Sequence, residues 1–201
     1  MRTFIAVDLS DEIRAEIKEI QKQFVDLEIH DKLKLKFVNP WQAHQTVKFL
    51  GNVPEDKVEE IKRALAEISQ KPFDIELRGV GFFPEASLEK ARNLRVVWIG
   101  MEKGEEELKL LQEEAELKMH ALGFPREKRF SAHVTICRVK MVSRAGAKDE
   151  IRQVLKKIAE LRDVEVGKML ADEVKLKHST LTPKGPIYED VYVKKLGDRN
   201  G

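Results

Sequence analysis

Apolar positions along the chain follow two rhythms, and the changes between them mark out the secondary structure. Phe4, Ile5, Val7 and Leu9 predict a strand over 3–9. Ser10, followed by Asp11 and Glu12, then caps a helix in which Ile13, Ile17, Ile20 and Phe24 recur every three or four residues to about Val25. Leu33, Leu35 and Phe37 alternate with Lys34 and Lys36, which predicts a strand over 33–38 with one solvated face. Asn39-Pro40 is a break, and the next strand runs over 44–51 to Gly51. Pro54 opens a second helix on Val58, Ile61, Leu65 and Ile68, closed before Pro72. Strands over 73–80 and 95–101 flank a polar connection over 84–93, and a helix over 105–122 is stopped by Gly123 and Pro125. A strand over 131–139 and a helix over 147–161 on Ile151, Val154, Leu155 and Ile158 come next. Two closing strands are expected over 164–177, irregular at Gly167, and over 187–196. The pattern is that of a mixed α/β protein of the α+β type.

Composition narrows the class. A chain of 201 residues, 42% of them hydrophobic, can bury a sizeable core as one large domain or two lobes of about 100 residues. Collagen-like, low-complexity and disordered classes are excluded. No apolar run nears the ~18 residues of a membrane-spanning helix. Arg2 and Asp8 bound the first apolar run too closely for a signal peptide, so a soluble, cytoplasmic protein is expected. The lone Cys137 rules out an internal disulfide framework and a multi-cysteine zinc site. Because 37 Lys and Arg stand against 35 Asp and Glu, any footprint for nucleic acid must be local. Dense charge with sparse Asn and Gln suggests a thermophilic source.

Against this ordinary background one tetrad is written twice. His44-Gln45-Thr46-Val47 and His133-Val134-Thr135-Ile136 share the form H-x-T-x and lie nearly half the chain apart, each in a predicted strand. Residues two apart in a strand share a face, so each tetrad presents an imidazole beside a hydroxyl. By strict alternation Val47 and Phe49, like Val134 and Ile136, point to the core, and Lys48 extends the His44 row. Two such tetrads facing each other across two lobes suit in-line displacement at phosphorus. One neutral imidazole takes a proton from the attacking water, and one protonated imidazole gives a proton to the leaving oxygen. Threonine hydroxyls hold the non-bridging oxygens. The scheme requires no metal and no cofactor.

The segments 44–51 and 130–138 resemble the paired signatures of the 2H phosphoesterase superfamily, most closely those of the RNA 2′,3′-cyclic phosphodiesterases, historically called 2′-5′ RNA ligases. Segments 2–7, 95–98 and 179–188 resemble that family too, so the likeness spans nearly the whole chain. It implies a single bilobal, pseudo-symmetric domain: two antiparallel sheets around a central cleft, helices outside, one H-x-T-x motif from each lobe. It also implies hydrolysis of an RNA 2′,3′-cyclic phosphate end to a 2′-phosphomonoester. By motif position His44 is then the proton donor, His133 the proton acceptor, and Thr46 and Thr135 the phosphate holders. Ala132 departs from the proline that often precedes the second histidine, and removes no reactive group. The implied partner is RNA with a cyclic phosphate end, tRNA fragments included, acted on by a monomer.

Other residues are candidates for holding substrate. Lys48 shares the His44 face under strict alternation, whereas Arg138 reaches the cleft only through a bulge or its own length. Arg126, Lys128 and Arg129, with Lys32, Lys34 and Lys36, form a basic set able to follow an RNA backbone. Trp41 and Phe83 are candidates for stacking a base. Cys137 reads as a buried, inert thiol, and His30, His120 and His178 as structural or surface residues. The absence of a G-x-x-x-x-G-K-[ST] loop argues against an ATP-driven ligase. The rival readings are an ATP-independent 2′-5′ RNA ligase using the same groups in reverse, a small-nucleotide cyclic phosphodiesterase, an RNA-end-binding module without turnover, and a metal hydrolase with His44 and His133 as ligands.

Overall fold

The computed structural model describes residues 1–29, 32–88, 91, 93–127, 130–143, 147–183 and 185–197. Strand β1 (Arg2–Asp8) leads into helix α1 (Asp11–Val25), where the Ser10 hydroxyl accepts from the Ile13 amide. Ile13, Ile17, Ile20 and Phe24 are buried, as their spacing requires. Strand β2 (Leu33–Phe37) and a single 3₁₀ turn (Pro40–Gln42) precede β3 (His44–Asn52), α2 (Glu55–Ala66) and β4 (Phe73–Phe83). Then come β5 (Val96–Lys103), α3 (Glu105–Ala121), β6 (His133–Met141) and α4 (Ala147–Glu160). The chain closes through β7 (Glu165–Ala171), β8 (Glu173–Thr182) and β9 (Gly185–Lys195).

One expectation fails here. The strand expected over 164–177 is two strands, β7 and β8, parted at Asp172. They belong to different sheets. Sheet A has the order β3-β1-β8-β9 and sheet B the order β2-β6-β5-β4-β7, and every pairing is antiparallel. The two orders share a pattern, because β3-β1 in sheet A corresponds to β6-β5 in sheet B. The strand after each pair comes from the other half of the chain: β8 beside β1, and β4 beside β5.

The helices exchange sides in the same way. Helix α1, which follows a strand of sheet A, packs with α4 on sheet B, and α3, which follows a strand of sheet B, packs on β3 of sheet A beside α2. Their apolar faces and the inner strand residues make one continuous core. Among the described residues, no helix is long and apolar enough to cross a membrane.

Candidate active site

Both tetrads open strands, and β3 and β6 approach each other from their separate sheets. The two motifs line one cleft of about 680 Å³, to which His44, Thr46, His133 and Thr135 all contribute. Among the described residues the cleft also takes three cations, Arg2, Lys36 and Arg138, and its lining contains no Asp or Glu. The result is a pocket suited to an anion.

The two imidazoles are held in matching ways. His44 Nδ1 lies 2.8 Å from the Gln42 carbonyl, and His133 Nδ1 lies 2.9 Å from the Ser131 carbonyl. A carbonyl only accepts, so Nδ1 carries the proton in each ring, and Nε2 is left as the nitrogen that gains or loses one. The 3₁₀ turn supplies the first of these carbonyls, and the Asn39 side chain caps that turn by accepting from the Trp41 amide at 3.1 Å. Aromatic rings fix both orientations. Phe4 and Tyr188 lie 4.8 and 5.2 Å from the His44 ring, Phe83 and Trp98 lie 5.0 and 6.5 Å from that of His133. Trp98 fits because it lies over Gly81, where a Cβ would come within 2.3 Å of the indole.

Alternation fails at the same place in both motifs. Ile5 faces Lys48 while Ala6 faces Thr46, so Val47 is an extra residue in β3. Likewise Val97 faces Cys137 while Trp98 faces Thr135, so Ile136 is extra in β6. Each bulge reverses the parity of the residues beyond it. Lys48 therefore turns inward, the opposite of its expected side. It is 1% exposed, and its Nζ donates to Glu116 Oε1 at 2.7 Å and to the Pro125 carbonyl at 2.9 Å. Phe49, expected in the core, is 59% exposed and lines the cleft. In β6 the same reversal buries Cys137, where burial pushes the thiol up to about 12, and brings Arg138 into the cleft. The Gln21 side chain of α1 supports this bulge, donating to the carbonyls of Ile136 at 2.9 Å and Val38 at 2.8 Å.

The remaining candidates divide. Trp41 stands on the 3₁₀ turn, exposed and outside the cleft lining. Phe83 buttresses His133 from the edge rather than facing the cleft. Arg126 is exposed on the loop after α3, also outside the lining, and Lys128, Arg129 and His30 lie outside the described residues. His120 sits exposed against the Phe124 carbonyl, and His178 pairs with Glu189 at 3.6 Å. Sequence reasoning missed Phe49 and Tyr188. The first is signalled only by the second motif, where consecutive apolar Ile136 and Cys137 shift the phase before Arg138 and Val139.

The charges around the imidazoles differ. Burial lowers the pKa of both. At His44 the Gln42 carbonyl and the Asp8 carboxylate oppose that fall, while Lys177 and Arg14 add to it. At His133 the Ser131 carbonyl opposes it and, among the described residues, the charge acting is Arg138, which adds to it. Asp8 is itself held by Lys175 at 3.0 Å and Lys177 at 2.9 Å, and both lysines also pair with Asp190. Among the described residues, no cluster of three or more His, Cys, Asp or Glu could hold a metal ion.

The family described as LigT-like phosphoesterase matches residues 7–92 and 99–188, which include both motifs. The chain belongs to this family. An RNA 2′,3′-cyclic phosphodiesterase of Archaeoglobus fulgidus is 39% identical over 96% of the chain and 99% of its own length. One of Methanothermobacter thermautotrophicus is 36% identical over 98% and 99%. A crystal structure of a Thermus thermophilus protein superposes with a TM-score of 0.72 at 28% identity, covering 98% of each chain. The relatives come from thermophiles, the habitat that the composition suggests. In this chain each H-x-T-x motif opens a bulged strand, and one sheet carries each motif.

Proposed function

We propose that this LigT-like phosphoesterase hydrolyses the 2′,3′-cyclic phosphate at RNA 3′ ends to a 2′-phosphomonoester. The observation that carries this is the matched pair of Nε2-presenting imidazoles, each with a threonine two residues on, in one cation-lined cleft. His133, disfavoured as a cation beside Arg138, takes a proton from water as its oxygen attacks phosphorus. His44, with Asp8 favouring its cation, gives a proton to the departing 3′ oxygen on the opposite side. The P–O3′ bond breaks as the new P–O bond forms, and the 2′ ester remains. Thr46 and Thr135, with Arg138, hold the non-bridging oxygens. Phe49 offers the face for a terminal base that Trp41 and Phe83 do not.

The names of the relatives support RNA as the substrate. The proposal extends to tRNA fragments with such ends, met in the cytoplasm. The working unit is one chain, because a single chain carries both motifs.

The test is to incubate the protein and EDTA with a short RNA ending in a 2′,3′-cyclic phosphate and identify the product. A 2′-phosphate end is expected, with His44→Ala and His133→Ala each lowering turnover by about 10²–10⁴. Losses under tenfold in both variants overturn the mechanism. A joined product with a 5′-hydroxyl RNA would move the reading to ligation, and binding without turnover to an RNA-end module.

A further inference from the structure

Strands β2 and β6 carry an unusual run of charge. Lys36 faces Arg138 and Lys34 faces Lys140 in their antiparallel register, and all four side chains are exposed on one face. Like charges directly opposite each other destabilise a sheet. Elsewhere the facing charges have opposite sign: Glu76 with Lys168, Glu173 with Lys195, and Asp190 with Lys177. Among the described residues the β2–β6 pairs are the only facing like charges, and none of the four makes an ion pair. Lysines on the edge strand β2 discourage pairing with another chain, but Arg138 and Lys140 lie on the inner strand β6, and no opposite charge within the described fold offsets the two facing pairs; an anion would.

The ladder is continuous with the site. Lys36 and Arg138 line the cleft beside His133 and Thr135, whereas Lys34 and Lys140 lie one step further along the same face, outside it. A step of two residues is about 6.8 Å, comparable to the separation of successive phosphates on an extended nucleic-acid strand. We infer that the RNA strand leading to the reacting phosphate leaves the cleft along β2–β6, its phosphates held in turn by Lys36 with Arg138 and then by Lys34 with Lys140. The inference rests on the cyclic phosphodiesterase reading for its direction. It makes an RNA strand, rather than a mononucleotide, the preferred substrate. It takes Lys34 and Lys36 from the basic set read from sequence and joins Arg138 and Lys140 to them.

Binding tests this independently of turnover. A labelled single-stranded RNA ending in a 3′-phosphate is titrated against the native protein and the Lys34→Ala/Lys140→Ala variant at several salt concentrations. Each phosphate neutralised on a single strand contributes about 0.7 to the slope of log affinity against log salt, and Lys34 with Lys140 hold one phosphate, so the variant's slope should be shallower by about 0.7. Its affinity at low salt should fall roughly five- to thirtyfold. The variant should hydrolyse a mononucleotide 2′,3′-cyclic phosphate within about twofold of native, and Lys34→Arg/Lys140→Arg should bind RNA as the native protein does. An unchanged salt slope overturns the track. A changed slope in a protein that turns over neither substrate upholds the track and overturns the phosphodiesterase reading instead.

Discussion

Lys48→Met separates the observed register from strict alternation. Lys48 is 1% exposed, and its Nζ is shared between Glu116 and the Pro125 carbonyl. Methionine preserves most of the apolar stem and removes only the charge. Glu116, 4% exposed, would keep the Gln112 amide at 3.3 Å and the Glu127 backbone N–H at 3.4 Å, but no cation. Removing one partner of a buried pair costs about 3–5 kcal/mol. At about 2–4 °C per kcal/mol for a chain of this size, Tm should fall by roughly 6–20 °C. Replacing both partners with apolar residues is often neutral or better, so adding Glu116→Leu should recover most of the loss. Thermal unfolding followed by circular dichroism reads the shift. Turnover of a cyclic-phosphate RNA, measured where all variants are folded, should stay within about threefold of native, since Lys48 lies outside the cleft lining. A Lys48 on the cleft side would do the reverse, leaving Tm within about 2 °C and raising KM for RNA. That result would refute the bulge at Val47 and the face assignments beyond it.

Four further outcomes concern the site. Burial lowers both imidazoles, so both limbs of the pH–rate profile should lie below the usual histidine value, with the optimum on the acidic side of neutrality. Asp8→Asn should move the His44 limb lower still, because it removes a carboxylate that favours the cation and leaves Lys177 less compensated; a limb that moves upward contradicts the role given to Asp8. Gln21→Leu leaves the buried Ile136 carbonyl without this donor and should cost about 1–3 kcal/mol in denaturant unfolding, with a fall in kcat that Thr135→Ala partly masks; full activity would detach the bulge from catalysis. Gly81→Ala drives a Cβ into the Trp98 ring and should destabilise by about 1–3 kcal/mol while lowering kcat through His133; crystallography of the variant would show whether the indole moves.

How much was legible depends on what each feature leaves in the residues. The helices and most strands follow from periodicity, because burial of one face selects the apolar positions. The repeated tetrad brought both histidines and both threonines to notice without any fold. Sheet membership left no such trace. At Asp172 the chain passes from one sheet to the other with neither Gly nor Pro, so β7 and β8 read as one strand. The bulges were hidden in the first motif, where Val47, Phe49 and their neighbours look regular. The second motif exposes them through its adjacent apolar pair. Tyr188 reaches His44 only because β9 closes onto β8, a contact fixed by tertiary structure alone.

The exchange of strands between the sheets sets how the cleft can move. Because β8 of the second half flanks β1, and β4 of the first half flanks β5, neither half of the chain can swing as a body without tearing a neighbour's ladder. A hinge between the halves of the chain is thereby denied to this architecture, and any closure over RNA has to move one sheet against the other. The two halves must also melt together, giving a single cooperative transition. Each histidine is held in place partly by an aromatic ring from the opposite half, His44 by Tyr188 and His133 by Phe83, so heat that loosens either sheet disables both proton-transfer groups at once.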